Sequence, residues 1–321
     1  MKAVVYARYG SPDVLQVVDR PAPVPGPGEV LVRVRAVSLN RSDWETLIGR
    51  PLYARVGGLR RPRRPILGSD IAGTVEAVGP QAHRFQPGQE VFADILERMG
   101  GFAEYVAVPE RLIAPMPTGL SHEVAACLPQ AGAIALQGIV ERGAVHAGQR
   151  VLINGAGGGS GMYAIQLAKL HGAEVTGVDN AEKLDLMRAL GADQVLDHTQ
   201  ADFTRLGRSW DLILDMVAHR SPADYRRALA PGGRYLFTGG SMATLLRVLL
   251  VGSRAGRSAG KQLRLLVVRQ GVQHLAPLIE LCQAGTVRTV IDRRYSLGDV
   301  PAALRYLGEG HAKGKVVIIV D

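Results

Sequence analysis

The chain has 321 residues, 47 % hydrophobic and 21 % charged, which excludes a disordered protein and exceeds what one core usually fills, so two domains are expected. Only Cys127 and Cys282 are present, too few and too far apart for a disulfide framework or a cysteine zinc site. The formal charge of +9 suits an anionic partner, yet only six of the 38 basic residues are lysines, and charge speaks to association rather than to fold.

The opening run at residues 2–7 is too short for a signal core, and no apolar stretch reaches the roughly 18 residues of a membrane span. A cytoplasmic protein without a membrane partner is expected. Residues 20–28 are crowded with proline and glycine and read as an extended loop, because proline lacks the amide donor of a helix or central strand. Residues 30–37 alternate apolar with charged side chains, and similar short runs continue to about residue 120, predicting a small β-rich, barrel-like domain. A helix is expected to start near Trp44.

From Val151 the rhythm becomes strand, glycine turn, helix, strand. Strands are expected at 151–154 and 174–179 with a helix through Lys169 between them, as in a parallel, doubly wound sheet. A helix over 183–190 follows, then strands near 194–196, 212–215 and 234–237, the last after a Pro231-Gly232-Gly233 turn. Segment 245–269 carries the least pattern. Helices at 274–284 and 300–307 and a strand at 315–320 close the chain and are expected to return to the first domain.

The turn Asn154-Gly155-Ala156-Gly157-Gly158-Gly159-Ser160-Gly161 lies between a predicted strand and helix, where backbone amides can cradle a pyrophosphate with no side chain in the way. Against G-x-G-x-x-G the first position is Ala156, followed by Gly158 and Gly161, a relaxed form of the fingerprint. Asp179 stands eighteen residues beyond Gly161 at a strand end. There a carboxylate accepts both ribose hydroxyls and repels a 2′-phosphate, which favours NAD(H). Lys183 and Arg188 lie just beyond and could instead neutralise such a phosphate, so the choice between NADH and NADPH stays open.

Further residues carry a resemblance. Asn40-Arg41-Ser42-Asp43 looks like an N-x-x-D segment, and residues 65–79, with one residue fewer between Pro65 and Gly68, resemble the block P-x-x-x-G-x-D-x-A-G-x-V-x-x-V-G. Phe85-Gln86-Pro87-Gly88, Gly101-Phe102-Ala103-Glu104-Tyr105-Val106, Ala125-Ala126-Cys127-Leu128-Pro129 and residues 311–318 follow in the same order. Over nearly its whole length the chain resembles the medium-chain dehydrogenase/reductase superfamily, in its zinc-independent quinone-oxidoreductase-like branch. That resemblance implies an α/β protein. Its GroES-like β-barrel catalytic domain would comprise residues 1–120 plus 270–321, and its Rossmann doubly wound parallel-sheet domain residues 121–269. It also implies a homodimer.

Zinc-dependent relatives begin the segment at Asn40 with a cysteine, which this chain lacks, so no metal is assigned. Without a Lewis acid, the expected reaction delivers reducing equivalents from NAD(P)H to a quinone or an activated enone or carbonyl, with catalysis left to positioning and dipoles. Asn40 and Asp43 match residues at the nicotinamide end of the family's active site and could orient a substrate oxygen or relay a proton; Asp43 could equally cap a helix. Tyr53, with a polar tip on an apolar ring, is a candidate proton donor. Gln130, Thr238 and Gly239 are expected to contact the cofactor, with plain packing as the alternative for Gln130 and Thr238. Two rivals stand beside the reductase: a zinc-free alcohol dehydrogenase, and a nucleic-acid-binding protein using Arg60, Arg61, Arg63 and Arg64 with Arg247, Arg254, Arg257, Lys261 and Arg264. His198, His274 and His311 lack metal-ligand spacing, and no nucleophile elbow appears.

Overall fold

A computed structural model describes the whole chain except residues 56–57, 241–242, 244–245 and 249–259; Arg254 and Arg257 therefore lie outside the described residues. The chain divides into two compact units, Met1–Ala133 with Gln270–Asp321, and Ile134–Arg269. The first unit extends thirteen residues beyond the position where composition changes. The reason is local: helix α2 (His122–Cys127) packs Ala125, Ala126 and Cys127 at zero exposure, and its neighbours in the fold are strands of the first unit.

The first unit holds β1 (Lys2–Val5), β2 (Gln16–Asp19), β3 (Glu29–Ser38), β4 (Asp70–Val78), β5 (Glu90–Asp94), β6 (Tyr105–Pro109), β7 (Ile113–Pro115), β14 (Ile291–Ser296) and β15 (Lys315–Ile319). Seven of these form one sheet in the order β14-β15-β3-β4-β5-β7, with β6 also on β3. Its ladders are antiparallel except β14–β15. The central strand β3 is buried at Val30, Val32, Val34, Ala36 and Val37, so its apolar positions form the core and its arginines the flank. Pairing of Val317 with Ser38 brings the chain end beside the start of α1 (Arg41–Ile48). That helix begins three residues earlier than expected, because Asn40 rather than Asp43 is the N-cap.

The second unit is a six-stranded parallel sheet, β10-β9-β8-β11-β12-β13, built from β8 (Arg150–Asn154), β9 (Glu174–Asp179), β10 (Gln194–Asp197), β11 (Trp210–Asp215), β12 (Leu229–Phe237) and β13 (Gln262–Leu265). Strand order reverses between β8 and β11, the place where open parallel sheets bind ligands at the carboxyl ends of their strands. The core on one face is aromatic: Tyr225 stacks on Tyr235 with centroids 4.1 Å apart, and Phe203 and Phe237 flank them.

One local expectation is corrected and two are refined. Pro231-Gly232-Gly233 is no free turn but an irregularity inside β12, where pairing steps from Trp210↔Leu229 to Leu212↔Arg234. The helix expected over 183–190 is a 3-10 turn, Ala181–Lys183, followed by an α-helix at Leu184–Ala189. Segment 245–269 contains the edge strand β13, whose four residues are too short to show a period. Among the described residues no helix is long and apolar enough to cross a membrane.

Candidate active site

After α3 (Pro129–Leu136), β8 of the second unit ends at Asn154 and the chain turns into α4 (Gly159–Leu170). Gly155 takes φ +88°, a left-handed conformation that glycine adopts without Cβ strain. The Gly155 and Ala156 amides both donate to the Val178 carbonyl, at 2.9 and 3.1 Å, which ties the turn to β9. A Cβ on Gly161 would stand 2.4 Å from the carbonyl oxygens of Gly155 and Ala156, so only glycine lets the helix pack against the turn. Gly158 differs: it is the N-cap of α4 without a side-chain cap, and a Cβ there would meet nothing nearer than the Gly155 oxygen at 3.5 Å. Open space over an N-cap, with the amides of Gly159, Ser160 and Gly161 in the first turn, is where a helix holds phosphate oxygens. The turn fits a dinucleotide diphosphate on these grounds.

Asp179 closes β9 as expected, but its carboxylate is already engaged. The Gly157 amide donates to Oδ2 at 3.0 Å, the Asn180 amide to Oδ1 at 2.9 Å, and Lys183 Nζ lies 3.1 Å from Oδ1. Both members of the ion pair are nearly buried, and the Lys183 stem fills the space a Gly157 Cβ would need. Lys183 is thus no loose cation waiting for a 2′-phosphate; it neutralises Asp179. Arg188 pairs with Asp185 at 2.7 Å. Thr238 and Gly239 follow β12, where the Thr238 amide donates to the Asp215 carbonyl and the Gly239 carbonyl accepts from Ala218. Beneath them a set that sequence reasoning missed pins β8 to β11: Asn154 Nδ2 and Tyr235 Oη donate to the buried Asp215 carboxylate at 2.8 and 2.9 Å.

In the first unit, Asn40, Asp43 and Gln130 come together, joined by Ser42, Ser69, Asp70 and Lys315. Asp43 is wholly buried and accepts from the Asn40 amide at 2.8 Å, the Gly68 amide at 3.1 Å and Ser69 Oγ at 3.3 Å. It serves its helix as the N3 member of a capping box whose N-cap is Asn40, and with zero exposure its contacts are those of the capping alternative, a positioning role. Gln130 donates Nε2 to Ser69 and Asp70 at 2.7 and 3.2 Å, accepts Ser42 Oγ at 2.9 Å, and donates its amide to Asp70 at 3.0 Å. Its polar atoms are spent inside the first unit, which matches the packing alternative expected for it. Lys315 donates to Asn40 Oδ1 at 2.6 Å and the Leu39 carbonyl at 3.0 Å. Ser69 and Asp70 sat inside the quoted sequence block, but neither their burial nor the approach of Lys315 from the far end of the chain shows in spacing.

Three carboxyls share this interior, Asp43, Asp70 and Asp94, with Lys315 as their buried cation. Burial pushes Asp43 up to about 7, against the pull of the Asn40 amide, and pushes Asp70 and Asp94 up as well. The folded protein therefore keeps a proton that the unfolded chain releases above about pH 4. Stability from Asp43 is full below that pH and is lost as pH rises through about 7. Tm is expected to fall by several degrees between about pH 5 and about pH 7.5 in scanning calorimetry, and Asp43→Asn to flatten that slope; a Tm that rises over this range would contradict the assignment.

Tyr53 lines a cavity of ≈ 330 Å³ with Tyr6, Tyr9, Ser42, Glu45, Arg63 and Arg64. Its hydroxyl donates to Glu45 at 3.2 Å, and burial together with the Glu45 charge pushes the phenol up to about 12, so it stays a donor. Ser42 Oγ links this cavity to Gln130 and the buried network. Ser42 and Glu45 were not singled out from sequence, because serine and glutamate on a helix read as solvated face; Ser69 stands just before β4, where its residue type marks nothing.

Comparison with known proteins follows the same outline. Residues 26–118 match the model of the alcohol dehydrogenase GroES-like domain and residues 190–318 that of the zinc-binding dehydrogenase. The chain is similar to a chloroplastic quinone-oxidoreductase, QR1, of Triphysaria versicolor, at 33 % identity over 99 % of this chain and 98 % of that one. It is equally similar, at 33 % identity over 99 % of this chain and 79 % of the relative, to a 2-methylene-furan-3-one reductase of Solanum lycopersicum. Among solved structures, the quinone oxidoreductase of Coxiella burnetii superposes with TM-score 0.89 at 29 % identity, covering 100 % of this chain and 99 % of that one.

Proposed function

The chain belongs to the medium-chain dehydrogenase/reductase superfamily, in its quinone oxidoreductase-like branch, and from that premise we propose that it reduces a quinone or an activated enone at the expense of NAD(P)H. The observation that carries this reading is the glycine turn, with Gly155 left-handed, Gly161 packed against backbone, and open space above the Gly158 N-cap. When bound, the dinucleotide supplies a hydride to an electrophilic carbon. The chain's own part is to hold it by the amides of the first turn of α4 and to present hydrogen-bond donors to the acceptor. Tyr53, kept protonated, is the donor best placed within the cavity of the first unit, once its single O–H turns from Glu45 to the acceptor. Asn40 stands outside the lining of that cavity, its Oδ1 gripped by Lys315 and its Nδ2 donating to Ser69 at 3.3 Å, and its part is to position this network.

The reaction proceeds without zinc in this reading, and the donor set supports that. The Asn40 and Gln130 oxygens already accept from Lys315 and Ser42. Among the described residues no group of three His, Cys, Asp or Glu side chains could hold an ion. Two unpaired cysteines suit a reducing compartment such as the cytoplasm.

The test is a spectrophotometric panel of NADH and NADPH against quinones, enones and aldehydes, with alcohol oxidation run in reverse. Quinone or enone reduction is expected to dominate; faster alcohol oxidation with the oxidised cofactor would overturn the reading. The Asp179–Lys183 pair sets the cofactor preference. With its charge matched by Lys183, Asp179 repels a 2′-phosphate only weakly, so the two cofactors are expected to differ by less than about tenfold, under about 1.4 kcal/mol. Asp179→Asn leaves Lys183 unpaired and is expected to shift kcat/KM toward NADPH by about tenfold; an unchanged ratio would remove Asp179 from cofactor selection.

A further inference from the structure

The cavity bearing Tyr53 is charged at one edge, and neither the fold nor the proposed reaction requires that. Its floor is aromatic, with Tyr6 and Tyr9 meeting edge to face at 6.5 Å and the Arg55 guanidinium lying 4.8 Å over the Tyr9 ring. Arg55 is committed there, donating to the carbonyls of Gly49 and Leu59. The one carboxylate lining the cavity, Glu45, is matched by Arg41 at 3.4 Å and by the Tyr53 hydroxyl. Arg63 and Arg64 also line the cavity and are exposed. Arg64 is anchored by one bond from Nη1 to the Leu96 carbonyl at 3.2 Å, which leaves other donors of its five for a ligand. Among the described residues no carboxylate lies within ion-pair distance of either guanidinium, so the cavity has a net positive edge. For a neutral quinone these two cations do nothing, whereas two neighbouring guanidiniums are the usual means of gripping a carboxylate or phosphate.

We infer that the natural acceptor is an anionic conjugated carbonyl compound, whose planar unsaturated part lies on the tyrosines while a carboxylate or phosphate on its tail is held by Arg63 and Arg64. This rests on the reductase reading above and narrows its substrate class. A cavity of ≈ 330 Å³ lies at the small end of ligand pockets and suits one or two rings or a short chain rather than a long isoprenoid tail.

The experiment compares matched acceptors with the full-length enzyme: 4-oxo-4-phenyl-2-butenoic acid against its methyl ester, and 1,4-naphthoquinone against its 2-sulfonate and a phosphate-bearing derivative. The acid is expected to exceed its ester in kcat/KM by tenfold or more, chiefly through KM, and the advantage should shrink as salt screens the charges. In the Arg63→Gln/Arg64→Gln double variant the ratio of acid to ester should fall at least tenfold. Comparison of the sulfonate and phosphate arms with the carboxylate shows which anion the pair prefers. Equal turnover of acid and ester by the native enzyme, or a ratio unmoved in the double variant, would overturn the inference and leave the reductase reading standing. No turnover of any acceptor would overturn both.

Discussion

Gly158→Val is expected to fold and to lose the dinucleotide. The backbone at Gly158, φ −90° and ψ −175°, is open to any L-residue, and the nearest atom to a new Cβ is 3.5 Å away, so the protein itself does not resist the side chain. Valine is a poorer N-cap than glycine, a loss of about 1 kcal/mol and hence a fall of about 2–4 °C in Tm. The isopropyl group, however, occupies the space over the first turn of α4 where a diphosphate would lie. Loss of about 3 kcal/mol or more of binding, a rise in Kd of at least about 100-fold, follows if those amides hold the phosphates. Gly161→Val makes the opposite comparison, since its Cβ strikes backbone oxygens at 2.4 Å and the fold itself should fail. Titration calorimetry with NADH and NADPH, beside a melting curve for each variant, separates the two. Unchanged affinity in Gly158→Val would place the cofactor elsewhere.

The second large effect is structural. Asp43→Ala leaves the amides of Asn40 and Gly68 and the Ser69 hydroxyl without their acceptor in a site of zero exposure. An unmade buried hydrogen bond costs about 1–3 kcal/mol, so a loss of about 3–5 kcal/mol and a fall in Tm on the order of 10 °C are expected. Asp43→Asn keeps an acceptor for one amide and sets its own donor against the others, and should lose about half as much. A Tm within 2 °C of the native value for the alanine variant, on calorimetry, would show that Asp43 does not organise this interior; that threshold is about 1 kcal/mol.

How much of this was legible in the sequence depended on the range of the interaction. The glycine turn reads directly, because a strand, a run of small residues and a helix are neighbours along the chain and the backbone does the binding. Strands β8, β9 and β11 read equally well, being short apolar runs covered on both faces. The polar interior of the first unit did not: Asn40, Ser69, Gln130 and Lys315 come from four separate segments, and nothing in the residue types says that Lys315 Nζ ends 2.6 Å from Asn40. Asp43 and Gln130 were each read with two possible tasks, and the choice between them was not legible, since pattern locates a residue without showing how many of its hydrogen bonds are already made. Lys183 was read as a cation that could neutralise a 2′-phosphate, whereas the 3-10 turn at Ala181–Lys183 folds it back onto Asp179. The arginines at 63 and 64 read as surface charge because the cavity they edge is closed by residues from 6 to 99.

Transfer of label tests the central claim most directly. With NADH or NADPH carrying deuterium at both C4 positions of the reduced ring and an enone acceptor, the product is examined by proton NMR and mass spectrometry. One deuteron at the β-carbon of the reduced enone per cofactor oxidised is the predicted result. Cofactor oxidation with no deuterium at that carbon, or no oxidation with any acceptor, would contradict it.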